Sequence, residues 1–270
     1  MLTDYTTAVK NRQLCAIHPK AKIGKNVKID PFVSIEADVV IGDNCWIGSH
    51  AVIMNGTRMG NGCKIFPGAI IGAVPQDLKF AGEQSTVELG NNVIVREYAT
   101  LNRGTKAAHR TFIDDNCLLM AYVHVAHDCR IGKRVIMANN VTLAGHIIIE
   151  DFTILGGMVA VHQFVKIGKH AYIGGGSLVR KDVPPYVKAA REPLSYVGIN
   201  SVGLKRSGFS PERIKAIQEV YRLLYVRSNN ISQGISAIEA TLDYSEEREE
   251  ILQFIKKADR GIMRGFRRNS

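Results

Sequence analysis

An aliphatic residue recurs at every sixth position over most of the chain. The series starts at Ile17 and runs through Ile23, Ile29, Ile35, Ile41, Ile47, Ile53, Met59 and Ile65 to Ile71. It returns at Leu89, Val95 and Leu101. It then runs from Ile113 through Leu119, Val125, Ile131, Met137, Leu143, Ile149, Leu155, Val161, Ile167 and Ile173 to Val179. Four residues after an anchor stands a small or β-branched side chain, such as Ala21, Val27, Val33, Val39, Ala51, Ala69 or Thr153. Turn formers such as Gly42-Asp43-Asn44 lie between. Positions five, six and one of each hexad form a short strand, with five and one pointing inward because strand side chains alternate faces. Positions two to four turn a corner, which Gly, Asp and Asn tolerate. Three hexads close one triangular coil, and coils stack about 4.8 Å apart, so residues three hexads apart become neighbours. The repeat predicts an all-β parallel β-helix from about residue 17 to residue 184, within a domain spanning residues 1–186.

Two breaks interrupt the series, at residues 73–88 and 103–112. Breaks in a solenoid are loops thrown out of the coil, and such loops carry function. The repeat stops after Pro184-Pro185, and a small helical domain is expected over residues 187–270. Ser210-Pro211-Glu212 reads as a helix start, a capping serine followed by proline at the first helical position. Ile214, Ile217, Tyr221 and Leu224 give that helix its apolar face. A second helix is expected from near Ser245, with Ile251, Phe254 and Ile255 inward and an end near Gly261.

Cysteine usage follows the repeat. Cys45, Cys63, Cys117 and Cys129 fall on the small fifth position and read as core thiols, with Cys15 outside the register. No run of eighteen apolar residues suggests a membrane span. No basic segment followed by an apolar stretch opens the chain, so a cytoplasmic protein is expected. The net charge of +10 suits an acidic partner. Nucleic acid is not expected, since neither zinc-finger spacing nor a recognition motif is present.

The candidate chemistry lies on one corner. The hexads at Val125, Leu143 and Val161 stack there in successive coils. They carry His127 with Asp128, Gly145 with His146, and His162 with Gln163, while His124 ends the strand leading in. His18, His50, His109 and His170 share no such coincidence and read as surface residues. A cluster of imidazoles suits general-base catalysis or a three-histidine metal site. Hexapeptide-repeat carbonic anhydrases use the second, but their ligand spacing is absent here. A non-catalytic hexapeptide scaffold would explain the repeat and leave the stacked histidines without a task.

Six strings resemble the UDP-N-acetylglucosamine 3-O-acyltransferase family, which opens lipid A synthesis in Gram-negative bacteria. They are Pro75-Gln76-Asp77-Leu78-Lys79, His124-Val125-Ala126-His127-Asp128-Cys129, Leu143-Ala144-Gly145-His146, Gly156 to Phe164, Asp182-Val183-Pro184-Pro185-Tyr186 and Gly198 to Arg206. The resemblance implies a left-handed parallel β-helix of hexapeptide repeats, assembled as a homotrimer with active sites between subunits. It implies transfer of a 3-hydroxyacyl group from acyl carrier protein to the 3-hydroxyl of UDP-N-acetylglucosamine, with no cofactor and no metal. In that scheme His127 is the general base, Asp128 orients it, and the Gly145 N–H meets the thioester oxyanion. Gln76, Asp77 and Lys79 contact sugar or phosphate, and His124, His146, His162 and Gln163 line the cleft. Asn200 and Arg206 hold the nucleotide end, and Gly175 floors the acyl groove. Arg260, Arg264, Arg267 and Arg268 are docking candidates for the acidic carrier. Pro193 stands where better-known members carry a histidine. The N-acyltransferases later in the same pathway carry a sizeable N-terminal domain, for which the residues before Ile17 are too few.

Overall fold

The computed structural model describes residues 14–265, which places Arg267 and Arg268 outside the described residues. Short strands alternate with corners, and every third strand joins the same sheet. A first sheet of 9 strands begins at Ala16–Ile17, a second of 8 at Lys22–Ile23, and a third of 11 at Lys28–Ile29. Pairing within the coils is parallel, with partners three hexads apart, as in Ala16 opposite Ser34 and Ile17 opposite Ile35. The anchors fill the interior: Ile47, Ile53, Ile65, Ile71, Leu101, Leu119, Ile131 and Ile173 are fully buried. Burying each such side chain is worth about 1.5–3 kcal/mol, which drives the coil closed. Cys45, Cys63, Cys117 and Cys129 are buried thiols at the fifth position. Cys15 does lie in register, contrary to the reading above. It stands three hexads before Val33, and Ala16 N donates to Val33 O at 2.9 Å, so Cys15 packs against the end of the core.

The coil has three corners: the first leads from the first sheet to the second, the second from the second sheet to the third, and the third back to the first. Position four of most corners has left-handed backbone, as at Asn26, Asn44, Asn92 and Asn116 on the second corner. Asparagine takes that conformation readily. Elsewhere the same place holds aromatic residues, whose outward side chains stack from coil to coil. Phe152 and His170 lie with ring centroids 4.7 Å apart, and Tyr98 and Tyr122 5.4 Å apart. Stacking offsets part of the backbone strain. His170 is therefore not the surface residue expected: it is buried between Phe152 and Tyr186, with Phe209 against its edge. Burial pulls its pKa down to about 4, so it is neutral at pH 7.

Both breaks leave the first sheet and rejoin the second, so both loops leave from the first corner. Residues 74–85 separate Ile70–Ala73 from Thr86–Leu89, and residues 103–109 separate Thr100–Asn102 from Arg110–Ile113. Register resumes past each loop, with Ile70 opposite Thr100 and Thr86 opposite Arg110. The first loop thus adds the length of two hexads to its coil and the second adds one.

The end of the β-helix differs from expectation. Val187–Ala190 pairs in parallel with Tyr172–Ile173, and Ser195–Ile199 pairs antiparallel to it, so residues expected in the helical part extend the third sheet. Four helices follow: α1 (Ser201–Arg206), α2 (Pro211–Arg222, continued by a π turn over Leu223–Arg227), α3 (Ile231–Thr241) and α4 (Glu246–Lys256). The starts of α2 and α4 are as read: Ser210 Oγ accepts from Arg213 N at 3.3 Å, and Ser245 Oγ from Arg248 N at 3.1 Å. The reading above did not anticipate α1 and α3. Tyr221 ties α2 to the coil by donating to Pro185 O at 2.5 Å, and Tyr186 donates to Glu250 of α4. Among the described residues no helix is long and apolar enough to cross a membrane.

Candidate active site

The first corner gathers His127, Asp128, Gly145, His146, His162 and Gln163, because each is at position two, three or four of a hexad in successive coils. Asp128, His146 and Phe164 share position four with φ of 59, 62 and 66°, and that backbone turns them outward together. His146 stacks flat on Phe164 at 4.6 Å and meets His127 edge-on at 5.1 Å. His127 and Gly145 share position three. A Cβ on Gly145 would stand 2.5 Å from His127 Cε1 and 2.7 Å from Nε2, so the imidazole fits only because that position has no side chain. The N–H groups of His127, Gly145 and Gln163 find no acceptor among the described residues.

His127 Nδ1 lies 2.8 Å from Asp128 Oδ2. Asp128 only accepts when ionised, so Nδ1 carries the proton and Nε2 presents its lone pair outward. Nε2 faces Asp77 Oδ2 of the first loop at 4.0 Å. Asp128 is buried, which alone would raise its pKa. Hydrogen bonds from Thr105 and His127 outweigh that and hold it below the ordinary carboxylate range. Thr105 N reaches Oδ1 at 2.9 Å, Thr105 Oγ1 reaches Oδ2 at 2.6 Å, and Ala108 N reaches Oδ1 at 3.2 Å. Burial lowers the His146 pKa despite the Asp128 charge, and burial likewise lowers that of His124. His124 is bonded to Thr100 Oγ1 through Nδ1 at 2.8 Å.

Gln76 and Lys79 are exposed on the same loop as Asp77, whose Oδ1 accepts from Lys79 N at 2.9 Å. His162 and Gln163 are exposed in the next coil, and the His162 Nδ1 meets the Gln163 carbonyl at 3.1 Å. His127, Asp128 and His146 offer ligand atoms within 4.8 Å of one another, a triplet that fits a cation by spacing. Both Asp128 oxygens and His127 Nδ1 are already spent on hydrogen bonds, which leaves that triplet short of free donors.

Comparison with known proteins shows the family. Residues 182–263 match the family model described as the second domain of UDP-N-acetylglucosamine O-acyltransferase. Residues 110–145 match the bacterial transferase hexapeptide model, and residues 12–114 match that of the GMPPB C-terminal domain. The acyl-[acyl-carrier-protein]–UDP-N-acetylglucosamine O-acyltransferase of Thermodesulfovibrio yellowstonii is 45% identical over 249 residues, which are 92% of this chain and 96% of that protein. The crystal structure of the UDP-N-acetylglucosamine acyltransferase from Bacteroides fragilis superposes with a TM-score of 0.91 at 50% identity, covering 93% of this chain and 98% of that one. That of Francisella novicida gives 0.90 at 39% identity, covering 95% and 94%. The chain belongs to the UDP-N-acetylglucosamine O-acyltransferase family.

In this acyltransferase, three of the residues named from sequence stand apart from the histidines. Asn200 caps α1: its Oδ1 accepts from Gly203 N at 3.2 Å and its Nδ2 donates to His170 O at 2.9 Å, on the second corner. Arg206 is exposed in the last turn of α1. Gly175 is exposed on the third corner. Within one chain, then, the structure brings together His127, Asp128, Gly145, His146 and Asp77, with His124 at the end of the strand leading in, and leaves Asn200 and Gly175 on other corners and Arg206 on α1. Thr105 is the residue the sequence reading missed. It lies in a break, where no register marks which side chain turns inward.

Proposed function

We propose that the chain transfers a 3-hydroxyacyl group from acyl carrier protein to the 3-hydroxyl of UDP-N-acetylglucosamine, the first step of lipid A synthesis, with His127 as general base. The observation that carries this is His127 itself, held through Nδ1 by a buried carboxylate with Nε2 facing outward across the Gly145 Cα. Nε2 removes the sugar hydroxyl proton as that oxygen attacks the thioester carbonyl. The oxyanion forms against the open Gly145 N–H. Collapse breaks the C–S bond, and the carrier thiolate takes the proton back from His127. Asp128 orients the ring and balances the imidazolium. The spacing of the His127, Asp128 and His146 triplet also admits a metal reading, and metal analysis before and after chelation separates the two.

Gln76, Asp77 and Lys79 present donors and a carboxylate to the sugar and its phosphates, while His124, His146, His162 and Gln163 line the cleft. Asn200 and Arg206 serve the nucleotide end from a neighbouring copy in a homotrimer. Two faces and the edge between them support that assembly. The outward residues of the first sheet, such as Val52, Ile70, Thr100, Thr142 and Ala160, carry no charge; on the third sheet the middle coils show Ile94, Leu118, Ile136 and Ile154, flanked by Lys28 and Lys64 on one side and Lys188 on the other. The third corner between them exposes Phe32, Tyr98, Tyr122 and Met158 at 53, 56, 56 and 70%. The second sheet instead shows Lys22, Arg58, Glu88, Arg130 and Lys166 to solvent. A side-by-side assembly buries the uncharged first face and the apolar middle of the third, and leaves the charged second face wet. Residues 1–186 supply the chemistry, and residues 187–270 supply the nucleotide and carrier contacts. The net charge of +10 suits the acidic carrier, with Arg260 and Arg264 exposed near the end of the described residues.

Assay of the purified chain with UDP-N-acetylglucosamine and 3-hydroxyacyl carrier protein tests this. His127→Ala is expected to lose about 10² to 10⁴ in rate, the range of general-base catalysis, while remaining folded. A folded variant with more than about a tenth of wild-type activity sinks the assignment.

A further inference from the structure

We propose that Thr105 is a positioning residue that fixes Asp128, and through it His127, in the catalytic arrangement; this rests on the reading of His127 as the base. The second break from the repeat, residues 103–109, makes no hydrogen bond to the imidazole itself among the described residues. Two of its residues reach the pair: Ala108 through its backbone N–H, 3.2 Å from Asp128 Oδ1, and Thr105, which does so twice and carries the one side-chain contact. The backbone N–H takes Asp128 Oδ1 at 2.9 Å and the hydroxyl takes Oδ2 at 2.6 Å. Oδ2 is also the atom that His127 Nδ1 meets at 2.8 Å.

The hydroxyl proton has only one direction available. Ala107 N donates to Thr105 Oγ1 at 3.2 Å, and the carboxylate has no proton to give, so the Oγ1–H points at Asp128. Thr105 is 6% exposed and Asp128 8%, so these bonds form out of water, where they are stronger and more directional. They turn the plane of the carboxylate, and the carboxylate turns the imidazole.

The loop is itself fixed at both ends. Arg103 N donates to Ala73 O at 2.9 Å, Gly104 N to Thr86 O at 3.1 Å and Lys106 N to Glu83 Oε1 at 2.8 Å, and at the far end His109 O accepts from Thr86 N at 2.9 Å. A Cβ on Gly104 would stand 2.6 Å from Arg110 Cα, so glycine is what lets the chain fold back and bring Thr105 inward. Ala73 and Thr86 flank the first loop, which carries both Glu83 and Asp77. The same bonds therefore set the base and the acceptor-binding loop relative to one another.

Thr105→Val keeps the shape and the backbone N–H and removes the hydroxyl. It is expected to lower kcat about ten- to a hundredfold, the effect that outer hydrogen-bond partners command, with KM for the nucleotide sugar unchanged. Thr105→Ser restores the hydroxyl and is expected to restore kcat. Without the hydroxyl, Asp128 Oδ2 serves His127 alone and stabilises the imidazolium more, so the acidic limb of kcat/KM moves to higher pH. In an Asp128→Asn background, Thr105→Val is expected to add little, because the two act through one path. Thermal unfolding checks that each variant is folded, and Thr105→Ala replaces the valine variant if that one is not. Wild-type kcat with an unmoved acidic limb in the folded variant overturns the proposal, as does a full additive loss in the Asp128→Asn background. An active His127→Ala variant would instead fail the base assignment, so the two failures are told apart.

Discussion

At the second corner, Asp and Asn side chains of one coil cap the position-three N–H groups of the coil before. Asp43 Oδ1 accepts from Lys25 N and Asn61 Oδ1 from Asp43 N, both at 2.7 Å. Asn91 accepts from Asn61 N at 2.9 Å, Asp115 from Asn91 N at 2.6 Å, and Asp151 from Lys133 N at 2.8 Å. At the histidine-bearing part of the first corner the same register position holds His127, Gly145 and Gln163, and no side chain closes the N–H below it. Both corners come from the same hexad and the same backbone. The second satisfies its own donors; the first leaves them aimed outward and places a base across from them. An uncapped donor is a loss for stability and a requirement for an oxyanion site.

Gln163→Asp breaks that difference most directly. It puts at position three the residue that caps the preceding coil on the second corner, and its carboxylate is expected to accept from Gly145 N–H. The oxyanion then loses its donor and meets a negative charge. Loss of one such donor is worth about 10² to 10³ in kcat. The variant is expected to fall by that amount at wild-type stability or above, measured by steady-state kinetics and thermal unfolding on the same preparation. A kcat within a few-fold of wild type, with Gly145 N–H shown to be bonded, would remove that N–H from the mechanism.

Much of this was legible in the sequence, for a physical reason. A hexad anchor such as Ile131 or Leu143 must point inward in every coil, so its period survives in the chain and fixes which residues stack. The coincidence of His127, Asp128, Gly145 and His146 follows from that register alone. What the register does not carry is anything outside it. Thr105 sits in a break and is marked by no period. His170 occupies a corner, where solvent is the default, and the packing of Phe152, Tyr186 and Phe209 around it buries it. Helix α3 carries Gly234 in its interior, which lowers its propensity and masks it in the sequence. Gly145 was named for its N–H, yet the space its missing side chain leaves for the His127 ring is an equal reason for glycine there.

The third corner sharpens the comparison, because it holds neither the cap ladder nor the histidines. Gly175 is exposed there, and a Cβ would lie 3.0 Å from Gly157 O, a fit that needs a shift of only a few tenths of an ångström. Gly175→Met is therefore expected to fold and to fill part of the proposed acyl groove. Each buried methylene is worth about 0.8 kcal/mol, so excluding two of them lowers kcat/KM for the longest donors about tenfold relative to shorter ones. The kcat/KM values across a ladder of 3-hydroxyacyl carrier proteins, for wild type and variant, measure this. An unchanged length profile in a folded variant removes the corner from donor selection.

The smallest effect is expected where the second corner is opened. Asp151→Ala removes the acceptor of Lys133 N and leaves that N–H exposed on the outside of the coil. Water takes the place of the lost oxygen, so the cost is the net worth of one hydrogen bond, about 1 kcal/mol, and not the larger penalty of a buried donor. Unfolding in urea at fixed protein concentration reads it as a lower midpoint, fixed because any assembly makes stability concentration-dependent. The kcat is expected to stay at the wild-type value, since Asp151 touches no group on the first corner. A midpoint that does not move would mean that the caps only decorate a coil held by its Ile and Val anchors. A fall in kcat with the midpoint intact would mean that the two corners are coupled through the coil, and the separation of a structural corner from a chemical one would fail.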